Sequence, residues 1–313
     1  MKINFLNIEK RRKFYDLRRF ILKNMFHPAK LLLFGEYAVL KGSRALAVPL
    51  SLFRGSWKYV ANPYFQHDLI QLGEYLKEKV ENSDTFLNTD GFLSHLSRGL
   101  YFDSNIPRGY GAGSSGAVCA AVYERFGLFK TNDIAELKRI FAQMENYYHG
   151  NSSGFDPLIS YLKRPVLINE DKTLQIIDLT HNTDLKIFLI DTKQPRKTEP
   201  LVQLFLEKCK NPAFHSAILE QIVPVMNQTL NDFLSQNTLS FFDNLHQLSA
   251  LQLQYLPDMI PNDFKSLWQD SLNQNDFKLK LCGAGGGGFI LGFAKKKESL
   301  DILLKNKIKI LFL

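Results

Sequence analysis

Hydrophobic and polar positions along the chain follow two periods, one of strands and one of helices. Residues 30–34 form a short apolar run that ends at Gly35, and residues 45–52 form another; both read as strands. Leu69, Leu72, Leu76 and Val80 recur at helical spacing. Leu100, Phe102, Ser104 and Ile106 alternate with Tyr101, Asp103 and Asn105, which predicts a strand leading into a glycine-rich stretch at residues 107–117. From Ser115 to about Phe126 the pattern turns helical. Thr131 or Asn132 is the expected cap of the next helix, with Ile134, Leu137, Phe141, Met144 and Tyr148 as its buried stripe. Glu145 and His149, four residues apart, share a face near its C-terminal end. Strand-like runs follow at residues 166–169, 174–177 and 185–190. From Glu199-Pro200 to about Asn275 the chain is helix-rich, interrupted at residues 257–261. Residues 279–281, 289–293 and 308–313 read as strands, with a helix near residues 298–304. The mixture indicates an α+β protein without internal repeats.

Length adds that 313 residues with 45% hydrophobic content exceed what one compact core usually organises, so two domains are expected. Cys119, Cys209 and Cys282 are widely spaced, odd in number and without a CxxC pair, which argues against a disulfide framework or a zinc site. They read as small buried apolar residues in a reducing, cytoplasmic setting. The net charge of +8 is concentrated: residues 1–25 hold eight basic residues against Glu9 and Asp16, so +6 lies there and +2 in the rest. No extended nucleic-acid surface is expected, and no stable membrane insertion. The segment lacks a continuous apolar region and a cleavage site, so it reads as a dispensable basic extension rather than a secretory signal.

Chemistry enters with the glycines. Pro107-Arg108-Gly109-Tyr110-Gly111-Ala112-Gly113-Ser114-Ser115-Gly116-Ala117 runs straight into a predicted helix. Glycines allow consecutive amides to converge on an anion, and a helix N-terminus adds unpaired N–H groups, so phosphate is the natural occupant. A second run, residues 283–288, lies far along the chain. Both runs satisfy GxGxxG, yet neither has the strand before, helix after and acid about 20 residues on that a dinucleotide site needs. Gly-Lys-Ser/Thr is absent, which excludes a P-loop. Phosphoryl transfer also needs a metal site and positioned charges. Glu145 with a Ser114 or Ser115 hydroxyl offers the hard oxygen donors Mg²⁺ prefers, and Asp156 ends the turn His149-Gly150-Asn151-Ser152-Ser153-Gly154-Phe155.

Five segments together resemble the GHMP kinase superfamily, and within it the mevalonate kinase family, over about residue 26 to residue 313. They are residues 28–40 (PAKLLLFGEYAVL), the phosphate loop at 107–117, Glu145 through Asp156, residues 191–198 (DTKQPRKT), and 280–288 (KLCGAGGGG). The resemblance implies a GHMP kinase fold: an N-terminal ATP-binding domain like ribosomal protein S5 domain 2, expected over residues 26–180, and a ferredoxin-like C-terminal domain over 181–313, with the site in the cleft between them. It implies an ATP- and Mg²⁺-dependent transfer to the primary hydroxyl of mevalonate in isoprenoid precursor synthesis, with a homodimer compatible with it.

Carried over residue by residue, Asp156 orients or deprotonates the acceptor hydroxyl and Lys30 stabilises charge there. Pro107, Gly109, Gly111, Ala112, Gly113, Ser114, Ser115 and Gly116 hold ATP, and Ser115 and Glu145 hold Mg²⁺. Glu36, Arg196, Thr198, Gly285 and Gly286 face the substrate. Four positions depart from the usual pattern: Ala29 for glycine, Ala112 for leucine, Ser152 for proline and Tyr37 for the histidine of animal mevalonate kinases. Gly35-Glu36-Tyr37 and Ser114-Ser115-Gly116-Ala117 also occur in proteins resembling phosphomevalonate kinase, which keeps that acceptor open, as it does another GHMP small-molecule kinase or a non-catalytic nucleotide-binding relative.

Overall fold

The computed structural model describes residues 25–60, 66–81, 86–180 and 184–313; the basic extension before residue 25 lies outside them. In chain order the regular elements are β1 (His27–Phe34), β2 (Ala45–Tyr59), α1 (His67–Glu81), α2 (Thr89–Ser97), β3 (Leu100–Ser104), α3 (Ser114–Phe126), α4 (Ile134–His149) and α5 (Phe155–Leu162). They continue with β4 (Val166–Ile168), β5 (Leu174–Ile176), β6 (Lys186–Asp191), α6 (Thr198–Lys208), α7 (Pro212–Ala217), α8 (Val223–Leu234), α9 (Thr238–Tyr255), α10 (Asn262–Leu272), β7 (Phe277–Lys280), β8 (Phe289–Ala294), α11 (Asp301–Lys305) and β9 (Ile310–Phe312). Two compact units result. Of the described residues, one contains 25–29, 53–106 and 115–161, the other 30–52, 107–114 and 162–313.

In the first unit the C-terminal half of β2 pairs antiparallel with β3, from Gly55 opposite Ser104 to Tyr59 opposite Leu100. The strand thus runs seven residues past the predicted end. Arg54, Ser56 and Lys58 dilute the apolar signal there, but alternation keeps one face on the core, where Trp57 packs edge-on against Phe92, Phe102 and Phe126. Its indole N–H donates to the Ala121 carbonyl of α3 at 3.0 Å, satisfying the one polar atom that this ring brings inside. Leu69, Leu72 and Leu76 of α1 are buried as the spacing predicts. On α4, Leu137, Phe141 and Met144 are buried, joined by Ile140, while Ile134 and Tyr148 at the ends are only half-buried. The cap of α4 is Asp133, not Thr131 or Asn132: its carboxylate accepts from the amides of Ala135 at 2.8 Å and Glu136 at 3.0 Å. Thr131 instead accepts from Asp133 N–H, which positions the cap. Helix α2, absent from the sequence reading, is short and capped by Asn88, which accepts from Gly91 N–H.

In the second unit the N-terminal half of β2 pairs antiparallel with β4, and β4 with β5. A separate antiparallel sheet has the order β7-β8-β6-β9. Phe34, Phe233, Phe241 and Phe293 form an aromatic cluster in this unit, which fixes the end of β1 against α8, α9 and β8. The second glycine run leads directly into β8, a strand rather than a helix, as expected from the sequence and contrary to a dinucleotide fold.

Candidate active site

The first unit carries an oxygen cluster at the start of α3. Glu145, from the last turn but one of α4, is 4% exposed. Its two carboxylate oxygens accept from separate serines: Ser115 Oγ donates to Oε1 at 2.9 Å and Ser152 Oγ donates to Oε2 at 2.5 Å. Ser115 Oγ also lies 3.0 Å from His149 Nε2. The turn after α4 makes this possible. Gly150 breaks the helix at φ 67°, and Asn146 Oδ1 accepts from Ser152 N–H at 2.7 Å, which returns the chain toward Glu145. Asp156 follows in the first turn of α5, half-buried. A methyl on Gly116 would come within 2.7 Å of Pro157 N and 3.0 Å of Asp156 Cβ, so the lack of a side chain lets α3 and the start of α5 meet. The Glu145 charge and, before it, burial push the Cys119 thiol well above its ordinary range, leaving an inert apolar residue.

Geometry and chemistry of this cluster suit Mg²⁺. A carboxylate and a hydroxyl, both hard oxygen donors, stand within hydrogen-bond reach at a helix N-terminus whose first turn contains no acid. Mg²⁺ characteristically takes one or two carboxylates and completes its shell with phosphate and water. Among the described residues no group of three or more His, Cys, Asp and Glu could hold a metal by itself.

The second unit carries the phosphate loop up to Ser114, Lys30 and the substrate candidates. Gly109, Gly111 and Gly113 have φ of 76°, 67° and 73°, alternating with residues of negative φ, the backbone pattern of an anion nest. The loop is anchored at both sides: Lys30 N–H donates to Ala112 O at 2.9 Å, and Arg196 N–H donates to Gly109 O at 2.7 Å. Pro107 opens this loop and Lys30 is half-buried on β1. The Arg196 guanidinium donates to Thr198 Oγ1 at 2.7 Å, at the start of α6. A methyl on Gly111 would sit 2.1 Å from Arg196 Nη2, and one on Gly283 3.1 Å from it, so two glycines make the space this cation fills.

Glu36 is 1% exposed and forms a buried ion pair with Lys280, through Oε1. Burial pushes its carboxyl up to about 7, against the attraction of Lys280. Its other oxygen, Oε2, has no hydrogen-bond partner among the described residues. Gly285 and Gly286 adopt φ of 65° and 73°, and Gly286 N–H is committed to Met259 O at 2.6 Å. Sequence reasoning did not single out Lys280 or Ser152 as functional side chains. Lys280 stands within the quoted glycine motif, one residue before its apolar Leu281-Cys282, and a fully buried lysine in a strand has no periodic signature. Ser152 was visible only as a departure from proline.

Residues 72–164 match the family described as GHMP kinases N terminal domain. The mevalonate kinase of Dictyostelium discoideum is 21% identical over 354 residues, an alignment covering 90% of each chain. Among solved structures, the mevalonate kinase of Methanococcus jannaschii superposes with a TM-score of 0.65 at 19% identity, covering 92% of this chain and 96% of that one. The phosphomevalonate kinase of Streptococcus pneumoniae, solved with phosphomevalonate and AMPPNP, superposes with a TM-score of 0.63 at 16% identity, covering 92% and 99%. The chain has the GHMP kinase fold, is similar to mevalonate kinases, and is an ATP-dependent small-molecule kinase.

Proposed function

We propose that this GHMP kinase phosphorylates the primary hydroxyl of mevalonate with ATP and Mg²⁺, giving 5-phosphomevalonate for isoprenoid precursor synthesis. The observation that carries the choice of acceptor is Arg196, whose guanidinium is held by Thr198 in a space left by Gly111 and Gly283. A planar cation with parallel donors is suited to a substrate carboxylate, and fixing it in advance reduces the ordering cost of binding. The named relatives support the same acceptor. The buried Glu36 Oε2, which has no hydrogen-bond partner among the described residues, is suited to accept from a substrate hydroxyl.

The phosphate loop, Ser114, Ser115 and Gly116 hold the ATP phosphates, through amides of positive-φ turns and of the first turn of α3. Ser115 and Glu145 hold Mg²⁺, which when bound neutralises phosphate charge. Ser152 keeps the Glu145 carboxylate oriented by occupying its second oxygen. Lys30 stabilises charge on the attacking oxygen, while Asp156 orients the acceptor hydroxyl or takes its proton. Gly285 and Gly286 shape the acceptor side by conformation, since the amide of Gly286 is already used. The cytoplasm is the compartment this reading implies, and a homodimer is compatible with it. No helix among the described residues is long and apolar enough to cross a membrane.

Phosphomevalonate is the runner-up acceptor, favoured by Gly35-Glu36-Tyr37 and by the Streptococcus pneumoniae structure's similarity. A coupled ADP assay with mevalonate, phosphomevalonate, galactose and homoserine side by side decides between them. Mevalonate is expected to give the highest kcat/KM; preferential turnover of phosphomevalonate overturns the assignment.

A further inference from the structure

Tyr37 stands in a backbone conformation that an aromatic residue seldom takes. Its φ is 56° and its ψ −42°, a positive-φ turn that a residue with a Cβ rarely adopts, closed by Ala38 N–H donating to Glu36 O at 2.5 Å. The surroundings hold it there. The ring is 6% exposed and lies against Phe205 of α6 with centroids 4.7 Å apart. Its hydroxyl donates to the Ala284 carbonyl at 2.6 Å, a buried contact between residues 247 apart in the chain. Ala284 is the residue between Gly283 and Gly285, both at positive φ, so this hydrogen bond is made to the crest of the second glycine turn.

The neighbouring residue makes a parallel connection. Glu36 pairs with Lys280, whose ammonium also donates to Leu33 O at 2.8 Å and Leu281 O at 2.9 Å. Adjacent residues at the end of β1 thus grip the glycine motif on both sides of Cys282-Gly283. The turn they hold borders Arg196: a methyl on Gly283 would sit 3.1 Å from Arg196 Nη2, and the Arg196 charge acts on the Tyr37 phenol against the effect of burial.

We propose that Tyr37 is a positioning residue for the acceptor: its hydroxyl fixes the Ala284 carbonyl, and through it the glycine turn against which Arg196 lies. Lys280 does the same for the other shoulder of the turn by orienting Glu36. The strained backbone of Tyr37 is retained because a tyrosine at this place reaches across to Ala284. This rests on the reading of Arg196 as the partner of the substrate carboxylate.

The test is Tyr37→Phe, which keeps the ring on Phe205 and removes only the hydroxyl. Tyr123→Phe is the control, since Tyr123 gives its hydroxyl to the Phe129 carbonyl within the first unit. Two quantities are read: steady-state parameters for both substrates, and hydrogen–deuterium exchange of the amides in residues 283–288. The expected result for Tyr37→Phe is exchange there faster by roughly two- to twelvefold, the worth of one net hydrogen bond. Mevalonate KM rises by a similar factor and ATP KM stays within about twofold. Tyr123→Phe is expected to move none of these. Unchanged exchange in 283–288 overturns the proposal, and so does faster exchange with unchanged acceptor KM or with both KM values rising together. If the wild type turns over a different acceptor, the mevalonate reading fails on its own; the same comparison with that acceptor, together with the exchange data, still decides the role of Tyr37.

Discussion

The oxygen cluster around Glu145 and the ion pair of Glu36 with Lys280 each centre on a buried glutamate, yet they are built in opposite ways. Glu145 is served by neutral hydroxyls from Ser115 and Ser152, within 30 and 7 residues of it in sequence, and lies at a helix start open to an anion. Glu36 is served by a cation 244 residues away, at the end of a fully buried strand. A carboxylate held by hydroxyls keeps its charge available to a metal, because the hydroxyls can turn or be displaced at small cost. A carboxylate held by a buried ammonium spends that charge within the protein, and its removal leaves an uncompensated ion. The first arrangement suits a metal; the second fixes two distant segments together and leaves one oxygen, Oε2, for a substrate hydroxyl.

Breaking the second arrangement gives the larger effect. Lys280→Met removes the only cation paired with Glu36 among the described ion pairs and is expected to cost about 3–5 kcal/mol of stability at pH 8, read by urea unfolding. The loss shrinks at pH 5, where Glu36 takes up a proton instead, and the double variant with Glu36→Gln recovers part of it. A pH-independent loss with no recovery contradicts an electrostatic origin. In the first arrangement, Glu145→Gln is expected to leave the unfolding midpoint within about 1 kcal/mol of wild type, since an amide keeps hydrogen bonds to both serines. The Mg²⁺ concentration needed for half-maximal activity rises, because an amide is a weaker ligand for a hard cation. An unchanged Mg²⁺ titration removes Glu145 from the metal site.

The pH dependence of stability sharpens the contrast. Burial holds Glu36 at about 7, above its ordinary value of 4.5, so folding favours its protonated form. A carboxyl raised in this way adds stability that is complete below the unfolded value and is lost as pH climbs through the folded one. The unfolding midpoint of the wild type relative to Glu36→Gln should therefore decline between about pH 4.5 and 7 and level off above. A flat difference across that window means that the pair stays charged throughout.

Much of the candidate site could be read because its parts are local. The glycine loop, the start of α3 and the turn from His149 to Asp156 are continuous segments whose residue types already state their chemistry. Ser152 completing the Glu145 pair was not legible, since its hydroxyl acts only once Gly150 and Asn146 have turned the chain back. Helix α2 escaped because its nine residues include Thr89, Gly91 and Ser94, whose weak propensity is overridden by burial of Phe92 and Leu96. The cap of α4 was misplaced by one or two positions for a related reason: Thr131, Asn132 and Asp133 are all competent caps, and only the local hydrogen bonds select Asp133.

Alternation and helical spacing along the sequence, by themselves, determined the order and type of most elements, and glycine spacing marked two backbone turns open to an anion or a close neighbour. These depend on interactions between residues near one another in the chain, which the sequence states directly. Which glycine makes room for Arg196, which lysine pairs with Glu36 and what holds Tyr37 at a positive φ were decided by tertiary structure alone. Each joins residues on separate elements, and burial, by removing water as an alternative partner, is what makes those particular pairings obligatory.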